Sequence, residues 1–248
     1  DTREVVKEYQ KTYPDLSYLN IGPCDGVGKA RNAGVSVARG DYVIFLDDGD
    51  ALMALTAELG RVLLDSFPEK QVVIGGRLLI EELGISQYQG MQKIGKDALY
   101  TTLDDGFIIR KSVFDKIKYD EDILTNEDAD FGIQFMKEFG IEAIQLINNC
   151  FLLKYHVDDR KSFIDSAPSP RTLLGIKRYI DKNLEAYKEH RERTGLPNEL
   201  EYILRYAGTL HVGGGRVKEG ISYILKAIKV MPCKENIIAL LKALPKLI

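Results

Sequence analysis

The feature that most constrains the fold is an uninterrupted apolar run that ends in a cluster of acids. Tyr42–Leu46 is continuously apolar and rich in β-forming residues, as in a strand covered on both faces. Helical patterns flank it at Lys29–Arg39 and Met53–Ser66. Strand patterns follow at Gln71–Ile74 and Arg77–Ile80. This alternation predicts an α/β, Rossmann-like domain with an open, mostly parallel sheet.

The chain begins and ends with helical patterns. Residues 2–12 predict a helix, Leu16–Ile21 a short strand, and Gly22–Gly28 a glycine-rich loop. A last strand is predicted from about Ile147 to Tyr155. Later patterns are all helical, at Arg171–Arg193, Glu199–Tyr206, Val217–Val230 and Glu235–Leu244. We therefore expect an α/β domain over residues 1–165 and a helical region over residues 166–248.

Composition excludes several classes of protein. The net charge of −3, from 34 basic and 37 acidic residues, gives no general attraction for nucleic acid. Three widely spaced cysteines fit neither a disulfide framework nor a zinc cage. No apolar run approaches the roughly 20 residues that span a bilayer, and no signal peptide opens the sequence. The expected location is the cytoplasm.

The acidic turn Asp47-Asp48-Gly49-Asp50 is the first candidate site. Ligands of open α/β sheets bind beyond the carboxyl ends of strands, where this turn lies. Three carboxylates within four residues repel one another unless a cation or several donors offset them. A hard divalent ion would do so and would also bridge a diphosphate. Alone, the motif fits a plain polar turn equally well.

The segments Gly28–Gly34 and Ala38–Asp50 together resemble the family 2 glycosyltransferases of the GT-A fold. That family has a Gly, then A-R-N-x-G, A-x-G-x-Y and F-L-D followed by further acids. The resemblance implies transfer of a sugar from a nucleotide-diphosphate donor. Its expected donor-binding and phosphate-binding residues here include Gly28, Arg31, Asn32, Asp47 and Asp48.

Elementary chemistry agrees with those roles. A helix that begins near Gly28 offers free backbone N–H groups to phosphate, and Arg31 could bind a diphosphate oxygen in bidentate fashion. Asn32 could bond the nucleotide side or its own sheet. Gly34 would allow close contact between the helix and the sheet. Arg110, after the strand pattern Phe107–Ile109, is either a phosphate partner or a surface charge.

The resemblance also implies a metal, Mg²⁺ or Mn²⁺. The common family form is D-x-D-D, and this chain matches the D-x-G-D form, with Gly49 in place of an acid. Asp48 and Asp50 are therefore the expected ligands. Some relatives carry a histidine after the last strand, which makes His156 a third candidate, although a lone histidine is as often structural. Arg160 and Lys161 could clamp the diphosphate.

A second acidic group lies in Thr125–Phe131. In the family an acidic pair at the start of a helix supplies the catalytic base, which assigns Asp128 as the base and Glu127 as the residue that orients the acceptor or the helix. Ordinary capping by Asn126 with an acidic first turn is the structural alternative. Asp130 is expected at the surface. Gly106 would leave room for the donor sugar or acceptor, or would simply sit at a strand start.

In such relatives a strand, a helix and a second strand precede a segment like residues 1–6. We therefore expect residues 1–165 to be an incomplete GT-A domain whose first strands come from elsewhere.

The predicted helices of Val217–Leu247 carry six lysines and a stripe of apolar residues. Packing of that stripe on the catalytic domain is one interpretation. Peripheral contact with the inner face of the plasma membrane, where lipid-linked acceptors lie, is another, and a homodimer through these helices is a third.

Two classes of function stay open at this point. One is an inverting glycosyltransferase that uses a nucleotide sugar, UDP-linked, and a glycan or lipid-linked acceptor. The other is a non-catalytic sugar-nucleotide-binding or scaffold protein that acts through its helical C-terminal region. Release of UDP from a donor separates them.

Overall fold

The computed structural model describes residues 2–22, 26–81, 84–89, 97–103, 106–155, 168–195 and 199–247. These residues form eight α-helices and six strands. The helices are α1 (Thr2–Gln10), α2 (Val27–Val37), α3 (Thr56–Ser66), α4 (Glu127–Phe139), α5 (Pro170–Thr194), α6 (Leu200–Gly213), α7 (Val217–Val230) and α8 (Lys234–Ala243). The strands are β1 (Tyr42–Ile44), β2 (Ala51–Leu52), β3 (Val72–Glu81), β4 (Gly84–Gln89), β5 (Ile108–Arg110) and β6 (Ile144–Tyr155).

The strands form one mixed sheet in the order β1-β5-β3-β6-β2, with β4 paired to β3. The β3–β6 ladder is parallel, and the other four ladders are antiparallel. The α/β class with a helical C-terminal region is confirmed, but the sheet is mixed rather than mostly parallel. Strands β1, β3 and β6 run in one direction. The antiparallel strand β5 lies between β1 and β3 in the sheet, although it follows both of them in the sequence. Local sequence patterns do not predict this position.

Most predicted elements lie within a few residues of their expected bounds, and α7 matches its prediction. The helix predicted from Met53 begins later, at Thr56, because β2 and a turn come first. The buried Thr56 hydroxyl donates to the carbonyl of Phe151 in β6 at 3.0 Å. This bond ties the start of α3 to the sheet.

The strand predicted at Leu16–Ile21 is wrong, since this segment pairs with no described strand. Residues 16–20 are exposed, including the large apolar side chains of Leu16, Tyr18 and Leu19. A strand is stabilised by its ladder and by burial of one face. Neither is present here, so the β-forming composition alone does not produce a strand.

The hydrophobic core extends through both predicted domains. One cluster joins the sheet to α4 through Phe114, Phe131 and Phe135. A second joins α4 to the helical region, with Ile133 beside Ile176 and other buried residues of α5 to α7. The boundary predicted near residue 166 lies outside the described residues and stays a prediction. No described helix combines the length and the apolar character needed to cross a membrane.

Candidate functional site

The acidic turn follows the strand β1, as expected. The prediction that this strand is covered on both faces is wrong, because β1 lies at the end of the strand order, only Val43 of its three residues is buried, and Leu46 is 47% exposed. The Asp50 N–H donates to the Asp47 carbonyl at 3.2 Å, which closes the turn. Gly49 has φ = 85°, and it occupies the third position of the turn, where a type II geometry requires a positive φ. The glycine that departs from the commoner D-x-D-D motif therefore has a backbone reason in this chain, because an aspartate there would be strained.

Arg31 joins the acidic turn to the second acidic group. It lies on α2, is only 7% exposed, and places Nη2 at 3.4 Å from Asp47 Oδ1. Its Nη1 lies 4.0 Å from Glu127 Oε1, in the first turn of α4. The guanidinium also stacks on the rings of Phe45 and Tyr119, at 5.4 and 5.3 Å from their centroids. One cation thus holds together two motifs that lie eighty residues apart in the sequence.

Glu127 and Asp128 differ in environment although they are neighbours. The Glu127 side chain is 17% exposed, and burial raises its pKa, with the adjacent charge of Asp128 adding to the effect and Arg31 opposing it. Asp128 is partly exposed, and its Oδ1 accepts from the backbone N–H of Ala129 at 2.8 Å. Both acids are thus partly exposed, and Glu127 is the one that lies next to Arg31.

Asn126 precedes α4 at the N-cap position, as predicted, but it caps differently. It has φ = 64°, and its side chain makes no capping hydrogen bond. Its carbonyl accepts the first helical bond, from Asp130 N at 2.9 Å. The left-handed backbone, rather than an Asn side-chain cap, sets the direction in which the acidic first turn points.

Asn32 is engaged by the segment that leads to α4. Its Nδ2 donates to the Tyr119 carbonyl at 2.9 Å and to Glu121 Oε1 at 3.1 Å. Its Oδ1 accepts from the Tyr119 N–H at 3.2 Å. Asn32 thereby fixes the position of Tyr119, on which Arg31 stacks, and the prediction that Asn32 itself binds the donor stays a prediction.

The start of α2 lies against the same segment. A Cβ on Gly28 would lie 3.0 Å from Tyr119 Cβ, and one on Gly26 would lie 2.7 Å from Leu124 Cδ2. These contacts explain why the loop before α2 is glycine-rich. The close helix–sheet contact expected at Gly34 is wrong, because Gly34 is exposed and a Cβ there would meet nothing within 4 Å.

Gly106 lies two residues before β5 with φ = 71°, and its N–H donates to the Phe45 carbonyl at 2.9 Å. A Cβ there would lie 3.0 Å from Leu152 Cβ of β6. The room expected beside this glycine is thus filled by Leu152. Its structural role at the strand start is evident, and a donor contact stays a prediction.

Arg110 was predicted to be either a phosphate partner or a surface charge, and its contacts in the structure are instead with the backbone and with an aromatic ring. Its Nε donates to the Lys70 carbonyl at 2.7 Å, Nη2 donates to the Leu64 carbonyl, and the guanidinium stacks on the Tyr42 ring. Arg110 thereby ties the end of β5 to α3 and β1.

Asp130 is not at the surface, which corrects the expectation for it. Its side chain is completely buried and accepts from Lys182 Nζ at 2.7 Å and Asn183 Nδ2 at 2.8 Å, both on α5. Gln134 Nε2, one turn later on α4, donates at 2.9 Å. The carboxylate buried two residues after Asp128 therefore fastens the first turn of α4 to α5.

The expected metal ligands are only partly described. Asp48 is exposed and Asp50 is half-buried. Within the described residues, no three acidic, histidine or cysteine side chains converge as a metal cage. His156 lies outside the described residues, as do Arg160 and Lys161.

Comparisons with known proteins agree with this geometry. Residues 1–117 match the model of the family described as Glycosyl transferase family 2. An uncharacterized glycosyltransferase of Methanocaldococcus jannaschii is 23% identical over 170 residues, 65% of this chain and 57% of that protein. A GalNAc(5)-diNAcBac-PP-undecaprenol beta-1,3-glucosyltransferase of Campylobacter jejuni is 28% identical over 148 residues, 56% of this chain and 47% of that protein. Residues 1–117 are therefore similar to glycosyl transferase family 2.

Solved structures show a similar fold. Residues 1–349 of S. aureus TarS, in complex with UDP-GlcNAc, superpose with a TM-score of 0.57 and 16% identity, covering 94% of this chain and 70% of that one. A second S. aureus TarS structure gives a TM-score of 0.53 with 16% identity and covers 94% of this chain and 42% of that one. The fold is GT-A. The chain spans about half the length of the curated relatives that it matches.

Two positioning residues of the candidate site were not predicted as such from the sequence. Tyr119 supports the guanidinium of Arg31, and Asp130 fastens α4 to α5, as described above. Tyr119 lies in none of the motifs that marked the site. Asp130 lies in the acidic group Thr125–Phe131, but its partners on α5 cannot be seen from that motif.

Proposed function

We propose that this chain is an inverting glycosyltransferase that transfers a sugar from a UDP-linked donor to a hydroxyl group of a glycan or lipid-linked acceptor. The observation that carries the proposal is the contact of Arg31 with both Asp47 and Glu127. It brings the turn that the family uses for the donor next to the helix that carries the base. The TarS complex with UDP-GlcNAc supports the choice of nucleotide.

The donor side of the reaction begins with its diphosphate. Arg31 is buried and planar, so its guanidinium keeps one orientation while Asp47 and Glu127 contact it. Its charge stabilises a diphosphate that lies over the acidic turn, and the N-terminal end of α2 adds the positive end of a helix dipole.

A divalent cation fits these residues. Mg²⁺ commonly takes one or two carboxylates and completes its shell with water and substrate phosphates, so a site without a three-ligand cage suffices. Asp48 and Asp50 would hold it. When bound, the ion would offset the charge that develops on the departing diphosphate.

Asp128 acts on the acceptor side. Its partly exposed carboxylate would take the proton of the acceptor hydroxyl as the oxygen attacks the anomeric carbon, and the bond to the diphosphate oxygen breaks on the opposite face. Glu127 contributes through its charge: its largely buried carboxylate lies 4.0 Å from Arg31 Nη1 and orients that guanidinium.

The test is release of UDP from UDP-sugars with and without Mn²⁺, on the wild type and on Asp128→Asn. We expect a rate loss of about 10²–10⁴-fold in the variant, the usual range for general-base removal, with unchanged donor affinity. Wild-type turnover at the same rate in Asp128→Asn would reject Asp128 as the base. Binding of UDP-sugar by the wild type without any transfer or hydrolysis would favour the sugar-nucleotide-binding scaffold instead.

A further inference from the structure

Helix α8 presents its apolar side to solvent. Its buried residues are Asn236 and Ala243, which lie on one face. The exposed side of the helix carries three large apolar side chains at helical spacing, with exposures of 38 to 61%: Ile237, Ile238 and Leu241. A helix on the surface of a protein normally turns such a stripe towards the core. Leu244 and Leu247, in the 3₁₀ turn that follows, continue the exposed stripe.

Helix α8 follows a closely packed pair of helices. Helices α6 and α7 cross at a pair of glycines: a Cβ on Gly208 would lie 2.8 Å from the Gly220 carbonyl oxygen, and one on Gly220 would lie 2.6 Å from that of Gly208. Asn236 Nδ2, on the buried side of α8, donates to the carbonyl of Met231, in the turn between α7 and α8, at 2.8 Å. The buried residues of α8 are thus small or polar, whereas its large apolar side chains are more exposed.

The apolar stripe is bordered by lysines. Val217–Leu247 contains six lysines against two glutamates, a formal charge of +4, whereas the whole chain carries −3. The rest of the chain therefore carries −7, and the positive charge is concentrated in this segment. On α8 and the turn after it, Lys234, Lys242 and Lys246 are exposed beside the stripe.

Charge decides between the two occupants that such a face would suit. Lys234, Lys242 and Lys246 outnumber the exposed Glu235 on α8 and its following turn, so a second copy of the chain would bring one positively charged surface against another, and like charges around an interface oppose association. An anionic lipid surface would accept both the apolar side chains and the lysines, in the manner of an amphipathic helix lying in the membrane interface. We propose that the outer face of α8, with the lysines around it, binds anionic membranes peripherally.

The test uses the whole chain and vesicles of phosphatidylcholine alone or with about one third phosphatidylglycerol. We expect sedimentation with the anionic vesicles only, and weaker binding as salt shortens the range of the charges. Leu241→Asp should lower the partition coefficient more than tenfold, since it removes apolar burial and adds a negative charge. The pair Lys242→Gln and Lys246→Gln should lower it by about fivefold for each lysine removed.

Leu174→Asp is the matched control, because Leu174 of α5 is 56% exposed, close to the 61% of Leu241, and lies away from this face. Its vesicle binding should equal that of the wild type. Thermal melting and donor binding in solution should be unchanged in all these variants, which separates membrane binding from the proposed transfer activity. Equal binding to neutral and anionic vesicles, no binding at all, or a wild-type dimer that Leu241→Asp converts to a monomer would overturn the proposal.

Discussion

Replacement of Lys182 by methionine tests whether the helical region holds the proposed base in place. Lys182 is the cation in direct contact with the fully buried Asp130 carboxylate, at 2.7 Å. Methionine keeps most of the side-chain volume and removes the charge. Asp130 would then retain the amides of Asn183 and Gln134 as donors, without a positive charge at contact distance from the described residues.

The expected loss of stability in Lys182→Met follows from the complete burial of Asp130. Breaking a buried ion pair by removing one member costs about 3–5 kcal/mol. Lys182 is 35% exposed and two amides still serve Asp130, so we expect the lower end, about 3 kcal/mol. In a chain of this size that corresponds to a fall of about 6–12 °C in melting temperature. Urea unfolding and thermal melting measure it.

The matched control is Lys177→Met on the same helix. Lys177 pairs with Asp181 one turn away, and both side chains are more than half exposed, so about 0.5 kcal/mol or less should be lost. Asp130→Asn added to Lys182→Met should recover part of the stability, because the uncompensated charge is gone. A loss below 1 kcal/mol for Lys182→Met would refute the view that this buried pair fastens α4 to α5.

The remaining predictions concern Glu127 and three glycines. The pKa of Glu127 in the folded protein is raised above its ordinary 4.5, so the wild type loses stability as the pH rises from 4.5 through the folded-state pKa. In urea unfolding, Glu127→Gln should therefore be more stable than the wild type at pH 7 but not at pH 4. No gain in stability at pH 7 would contradict this. Gly132→Ala should cost about 2 kcal/mol or more in urea unfolding, since its Cβ would lie 2.0 Å from the Thr101 carbonyl oxygen. Gly49→Ala should lower the free energy of unfolding by about 1–2 kcal/mol, because Gly49 has φ = 85°. Gly40 has no positive φ, so Gly40→Ala should leave the stability unchanged. Equal losses for the two variants in thermal melts would show that the backbone conformation of Gly49 is not the cause.

Local patterns predicted most of the helices and the position of the acidic turn. Periodicity is a property of adjacent residues, so α7 and α5 were found within a residue of their ends. The turn at Asp47–Asp50 followed from one continuous apolar run. Arg31 lies between this turn and Glu127. The family motif predicted that Arg31 binds a phosphate and did not predict its contacts with two acids.

The errors have a common physical cause, which is that the deciding partner lies far away in the sequence. Leu16–Ile21 has the composition of a strand but no ladder in the described residues. Asp130 looked like an exposed acid because its own helix offers it only the amide of Gln134, and its other partners, Lys182 and Asn183, lie some fifty residues later on α5. Gly34 occurs in a motif that suggested close packing, yet the packing occurs at Gly28.

The same long-range contacts argue that the helical region belongs to the site rather than being an appendage to it. A Cβ on Gly175 of α5 would lie 2.9 Å from the backbone nitrogen of Leu124, three residues before α4 begins, so α5 presses directly on the approach to the acidic pair. The apolar side chains of α4 also share a cluster with those of α5. Without α5, Asp130 and this cluster would meet water, and the first turn of α4 would lose the contacts that aim Asp128. Helix α5 and the first turn of α4 therefore share one buried core.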